Sequence, residues 1–152
     1  MKLTDYLSPE FIEIGLEAED KWDAIRKMIK ILARTGNIKD TSALEEEMFT
    51  RERTMSTGLG HGVAIPHASS DVVEKISVAA ALMKKPIDFE SLDLQPVKVI
   101  FAIASPKKRG KDYMELLSQI ASLFSKREFI EKILNAKTPE DFFKTILDFA
   151  DK

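Results

Sequence analysis

Val97-Lys98-Val99-Ile100-Phe101-Ala102-Ile103-Ala104, bounded by Pro96 and Pro106, is a short, nearly continuous apolar run rich in β-branched residues. A strand wetted on one side would alternate, so this run reads as a strand covered on both faces. Just upstream, Ile76, Val78, Ala80 and Leu82 alternate with smaller residues and predict a second strand over 76–82. Two shorter stretches, 63–65 and 11–16, predict two more.

Outward from these strands the apolar period becomes helical. Trp22, Ile25, Met28, Ile29 and Leu32 follow the acidic start Glu17-Ala18-Glu19-Asp20, and Gly36-Asn37 supplies the permissive backbone that ends a helix. A second helix is expected from Thr41 or Ser42, with Glu45 placed for a capping box, through Leu44 and Met48 towards Arg53. Tyr113, Leu116, Leu117, Ile120, Leu123 and Phe124 share one face. Phe129, Ile130, Ile133 and Leu134 extend that pattern after a break near Ser125. Thr138-Pro139-Glu140-Asp141 joins a capping hydroxyl to a first-turn proline and an acid three residues on. Phe142, Phe143, Ile146, Leu147 and Phe149 are the expected buried side of that last helix. Helices before, between and after strands predict an α/β sandwich around a mixed sheet.

A length of 152 residues fits one domain, 1–152, and 44% apolar content is too high for a disordered chain. With 23 Lys+Arg against 25 Asp+Glu, the net charge of −2 argues against nucleic acid as a partner. The lack of cysteine removes disulfides, thiol catalysis and thiolate metal sites. Two histidines exclude a three-His metal centre. No apolar run approaches the ~20 residues of a membrane span, and the start MKLTDYLSPEF lacks a signal peptide's apolar stretch. The expectation is a soluble cytoplasmic protein without direct membrane insertion.

Arg51 to Ala68 (RERTMSTGLGHGVAIPHA) stands apart, holding three of the six glycines, both histidines and a proline immediately before His67. Gly58, Gly60 and Gly62 are spaced G-x-G-x-G after a helix, which is no dinucleotide fingerprint, and no Gly-Lys-Ser/Thr follows. Glycines bring bare N–H groups close to a ligand, and Pro66 stiffens the backbone beside His67. A strand-like Val63-Ala64-Ile65 running into Pro66-His67 places the imidazole at a strand's end, where α/β sheets build sites. Imidazole has a pKa of about 6.5, so most of it is a free nucleophile at neutral pH. That chemistry suits a reversible phosphoryl relay.

Arg51-Glu52, Ser56-Thr57-Gly58-Leu59-Gly60 and Gly62-Val63-Ala64-Ile65-Pro66-His67 resemble the IIA domain of the fructose–mannitol–nitrogen class of the bacterial phosphotransferase system, over nearly the whole chain. The resemblance implies a three-layer α/β/α fold with helices on both faces of a central mixed sheet. It also implies a phosphohistidine intermediate. The implied donor is the phosphocarrier HPr or its nitrogen-branch counterpart, and the acceptor in sugar systems is a IIB-domain cysteine. By position, His67 matches the phosphorylated histidine and Arg51 the arginine that offsets phosphoryl charge. The glycine-loop amides and the Thr57 hydroxyl are further candidate donors. Matching Leu116-Leu117 to the family's leucine pair puts Tyr113 where a second active-site histidine usually stands. Tyr113 can donate a hydrogen bond to phosphate but supplies no imidazolium. His61 is a candidate substitute, against its plainer reading as an exposed loop residue. No cofactor is implied.

Blander readings stand beside these. His67 alone reads as a structural histidine, and His61, His67 and Asp71 make a weak metal signature. Arg51 has Glu45 or Glu47 as alternative surface partners, and Lys107-Lys108-Arg109-Gly110-Lys111 is read as a solvated loop. A second function class is a regulatory module, expected as a free-standing chain, whose phosphorylation state controls a partner transporter or kinase.

Overall fold

The structure is a computed structural model describing residues 1–150. Among them, strands β1 (Ile12–Leu16), β2 (Gly58–Gly60), β3 (Val63–Ala64), β4 (His67–Ser69), β5 (Ser77–Ile87) and β6 (Val97–Ser105) form one mixed sheet. The helices are α1 (Lys21–Ala33), α2 (Thr41–Thr54), α3 (Asp112–Phe124), α4 (Arg127–Leu134) and α5 (Pro139–Phe149). The sheet order is β1-β5-β6-β3-β2, with β4 also paired to β6. β5 and β6 are antiparallel, while β1 runs parallel to β5 and both β3 and β4 run parallel to β6.

Alternation along the central strands divides the core into the two faces of a three-layer α/β/α sandwich. Ala79, Ala81, Ala102 and Ala104 face α1 and α2, where Ile25, Met28, Leu32, Leu44 and Met48 pack. Val78, Val99, Phe101 and Ile103 face α3, α4 and α5, meeting Leu116, Ile120, Phe129, Phe142 and Ile146. The expected strand over 97–104 is thus β6, buried on both faces.

Several boundaries differ from the sequence reading. The cap of α2 is Asp40, whose carboxylate accepts the Ala43 N–H at 3.0 Å. The expected capping box does not form, because Glu45 turns outward to pair with Arg26 at 3.5 Å. β5 continues past 82 to Ile87, beyond a register shift against β6. Leu147 is 49% exposed, not buried, since the α5 core stripe runs through Phe142 and Ile146. Thr138 caps α5 as expected, accepting the Asp141 N–H at 3.0 Å.

The expected 63–65 strand is one piece of a longer edge. Val63 pairs with Val99, Ala64 with Ile100, His67 with Ile103 and Ser69 with Ser105, so the register is unchanged across Ile65-Pro66. Pro66 has no N–H to give to the ladder, which breaks there and resumes as β4. His67 therefore begins a strand instead of following one.

Candidate phosphoryl-transfer site

The carboxyl end of β6 and the β4 edge beside it lie between α2 and α3. A cavity of ≈ 540 Å³ opens there, lined by Ala43, Glu46, Glu47, Thr50 and Arg51 of α2, by His67, Ala68 and Ser69 of β4, and by Tyr113 of α3. Three residues singled out in the sequence, His67, Arg51 and Tyr113, meet in this cavity.

His67 is 8% exposed, and its Nδ1 lies 2.8 Å from the Ile65 carbonyl. A carbonyl only accepts, so Nδ1 carries the proton and the lone pair is on Nε2. Tyr113 stacks on the imidazole with ring centroids 4.8 Å apart and planes at 29°. Burial holds the His67 pKa below its ordinary value. The Ile65 bond opposes that shift, the Arg51 charge reinforces it and the Glu52 charge opposes it. The ring is thus held in one orientation, with Nε2 as its lone-pair nitrogen, within the field of the Arg51 guanidinium.

Arg51 projects from the last turn of α2 and donates from Nη1 to the Met55 carbonyl at 2.9 Å. Its alternative acidic partners are engaged elsewhere, Glu45 with Arg26 and Glu47 with the Ser70 hydroxyl at 3.0 Å. Arg51 lines the same cavity as His67, and its charge acts on the imidazole.

The other candidates lie elsewhere. Thr57 is buried, and its hydroxyl and N–H both donate to the Glu52 carboxylate, at 2.6 and 2.8 Å. Gly58 pairs with Ala64 and Gly60 with Val63 in the β2–β3 hairpin, at the amino end of β6. From Val99 to Ile103 along β6 is about 13 Å, so this hairpin tip is remote from the imidazole. Gly60 and Gly62, at φ +94 and +81, make the tight turn around His61. His61 and Gly62 line a separate depression of ≈ 250 Å³ with Asp93, Lys98 and Phe124. The glycines shape a hairpin here and line no part of the His67 cavity.

His61 and His67 therefore do not converge on a metal with Asp71, which pairs with Lys107 at 3.4 Å. Among the described residues no three of His, Cys, Asp and Glu come together as metal ligands. In the basic run, Arg109 pairs with Asp112 at 2.6 Å and Gly110 packs against Ser69 at the cavity's edge. Sequence reasoning missed Glu46, Glu47, Thr50 and Ser69 as cavity residues. Only the helical spacing of Ala43, Glu47, Thr50 and Arg51 pointed to a shared face.

No helix among the described residues is long and apolar enough to cross a membrane. Residues 5–149 match the family model described as phosphoenolpyruvate-dependent sugar phosphotransferase system, EIIA 2. The chain is 34% identical over its whole length to a fructose-specific EIIABC component of Bacillus subtilis, of which it covers 24%. It is 32% identical to a nitrogen regulatory protein of Bradyrhizobium diazoefficiens, over 96% of this chain and 95% of that one. The crystal structure of nitrogen regulatory protein IIA-Ntr from Neisseria meningitidis superposes with a TM-score of 0.87 at 27% identity, covering 95% of this chain and 98% of that one. With the cavity, the fold and these likenesses in agreement, the chain belongs to the EIIA type 2 family of phosphotransferase-system components.

Proposed function

We propose that this chain is a single IIA-type phosphotransfer domain acting in the cytoplasm, with His67 as its phosphoacceptor. It takes the phosphoryl group from phospho-HPr or a nitrogen-branch counterpart and passes it to a IIB-domain cysteine during sugar uptake. The observation that carries this reading is the fixed tautomer. With Nδ1–H held by the Ile65 carbonyl, Nε2 alone offers a lone pair to phosphorus. As the Nε2–P bond forms, the donor–phosphorus bond breaks and its electron pair returns to the donor. The ring becomes positive, and the Ile65 carbonyl stabilises the Nδ1–H that carries part of that charge. Transfer onward reverses this: a thiolate attacks phosphorus, an S–P bond forms, and the N–P electrons restore the neutral imidazole.

Arg51 offsets the charge on the phosphoryl oxygens, and preorganised charge of this kind is the larger part of such catalysis. Tyr113 holds the imidazole plane by stacking and, at the place of the family's second histidine, offers a phenolic donor. The expected product is a single acid-labile, base-stable phosphoryl group, detected by intact mass after incubation with phospho-HPr and absent from His67→Ala. Equal labelling of that variant would overturn the assignment.

A second reading is favoured by the likeness to nitrogen regulatory proteins over nearly the full length of both chains. There the phosphoryl group, adding roughly −1.5 to −2 charges at the cavity mouth, governs which partner transporter or kinase docks. Pull-down with phosphorylated and unphosphorylated protein separates the two readings, and equal capture in both states argues against the switch.

A further inference from the structure

Glu52 neighbours Arg51 in α2, yet its side chain is only 1% exposed and points inward. Both carboxylate oxygens are engaged. Oε1 accepts the Thr57 hydroxyl, while Oε2 accepts the Thr57 N–H and lies 3.3 Å from the Lys21 ammonium. Lys21 is buried too, reaches Glu90 at 3.3 Å and lies over the Trp22 ring at 5.1 Å. Burying a charge pair is expensive, and an apolar pair of similar volume is often no worse for stability. This one sits where α2 ends without a glycine, in an extended Met55 with φ −163. The Glu52 side chain therefore does what a helix C-terminal motif normally does, fixing where the chain turns.

Two hydrogen-bonded paths lead from that point to the site. In one, the Thr57 carbonyl accepts the Ile65 N–H at 3.0 Å, and the Ile65 carbonyl accepts from His67 Nδ1 at 2.8 Å. In the other, the Met55 carbonyl, two residues before Thr57, holds Arg51 Nη1 at 2.9 Å. We propose that Glu52 is the positioning residue of the phosphoryl site, fixing through Thr57 both the His67 imidazole and the Arg51 guanidinium. The proposal rests on the reading of His67 as phosphoacceptor. Glu52 touches neither reacting atom and acts by geometry, because displacements near 1 Å are costly for group transfer.

The test compares Glu52→Ala, Glu52→Gln and Thr57→Val in the full chain. The readouts are the transfer rate from phospho-HPr, the His67 ring nitrogen resonances and circular dichroism. Glu52→Ala is expected to slow transfer by about 10–100-fold and to give His67 a mixture of tautomers while the chain stays folded. Glu52→Gln is expected to recover most of the rate and the Nδ1–H tautomer. Its amide oxygen accepts the Thr57 N–H, and its NH₂ donates to Thr57 Oγ1. Thr57→Val removes only the hydroxyl leg and is expected to fall between them; it decides the matter should Glu52→Ala not fold. A wild-type rate and tautomer in both Glu52→Ala and Thr57→Val would overturn the proposal, as would Glu52→Gln as impaired as Glu52→Ala. The tautomer is read without any phosphoryl donor. Failure of this inference is thus distinct from labelling of His67→Ala, which removes the phosphoacceptor reading itself.

Discussion

The two histidines of this chain lie near opposite ends of β6 and are built in opposite ways. At the carboxyl end, His67 sits in ordinary strand backbone with its ring buried, stacked on Tyr113 and tied by one nitrogen to a carbonyl. At the amino end, His61 is exposed and its backbone is held at φ +55, with its N–H donated to the Asp93 carboxylate at 3.1 Å. One site constrains a ring and leaves the chain relaxed; the other strains the chain and leaves the residue exposed. Reactivity of the kind proposed needs the first arrangement, since a nucleophile gains from a fixed tautomer and orientation. The glycine-rich sequence flanking His61 serves the second end, where its job is to bend a hairpin.

The sharpest way to break this contrast is paired alanine substitution. His67→Ala is expected to abolish phosphoryl labelling, while His61→Ala leaves the initial rate unchanged. Loss of labelling in His61→Ala would mean that the hairpin tip takes part in transfer after all. Next in size is Arg51→Ala, expected to slow labelling by about 10²-fold, the usual effect of deleting one preorganised group facing developing charge. Arg51→Lys should fall between, since a lysine keeps the charge without the fork that engages Met55. A wild-type rate in Arg51→Ala would return this arginine to a packing role.

A stability measurement sharpens the other end. A Cβ at Gly58 would overlap the Ser91 hydroxyl and come within 3.1 Å of the Ser91 Cα. Gly58→Ala should therefore cost about 1–3 kcal/mol in urea unfolding, as overpacking commonly does, with labelling of the folded protein unaltered. The buried Ser91 hydroxyl has no hydrogen-bond partner, so Gly58→Ala with Ser91→Gly is expected to regain most of the loss.

How far these ends were legible in the sequence follows from how local their causes are. The β6 run, the helical stripes and the Thr138 cap have local causes, and they form as read except that Leu147 falls outside the buried stripe of α5. His67, Arg51 and Tyr113 were named from spacing and resemblance, and they line one cavity. β2 and β4 were not legible, because three-residue strands exist only through partners distant in sequence. Thr57 was read as a donor to a ligand because nothing local announces that Glu52, five residues earlier, already takes both its hydrogens. A buried carboxylate and an exposed one look alike on a helix whose apolar periodicity is as weak as that of α2. The glycines were legible as special backbone but not as to what they were special for.

Acid should also report on the burial of His67. Burial first, then the Arg51 charge, keeps the folded His67 pKa below the 6.5 of an exposed ring, against the pull of the Ile65 bond and Glu52. Its contribution to stability is full above that pH and is lost as pH falls towards the folded value. Over that window the unfolded chain takes up a proton that the folded chain refuses. Urea midpoints taken either side of about pH 6.5 should show this loss in the wild type and a smaller one in His67→Gln. Identical profiles for the two would mean that the His67 ring protonates freely in the fold.

The smallest expected effect tests the strain at the hairpin tip. An L-residue in the left-handed region loses about 1–2 kcal/mol relative to its preferred conformations, and glycine forfeits about 0.5–1 kcal/mol of that gain through unfolded-state entropy. His61→Gly should then stabilise the protein by up to about 1 kcal/mol. The backbone N–H that binds Asp93 is kept, and labelling at His67 is unchanged. Destabilisation instead would show that the His61 ring holds the tip against Asp93 or Lys98, beside which it lies. The two ends would then differ in chemistry but not in the use each makes of its imidazole. A stabilised variant with full labelling would show that the residue at position 61 sits in a conformation costly to any side chain, so that nothing in phosphoryl transfer depends on the ring there.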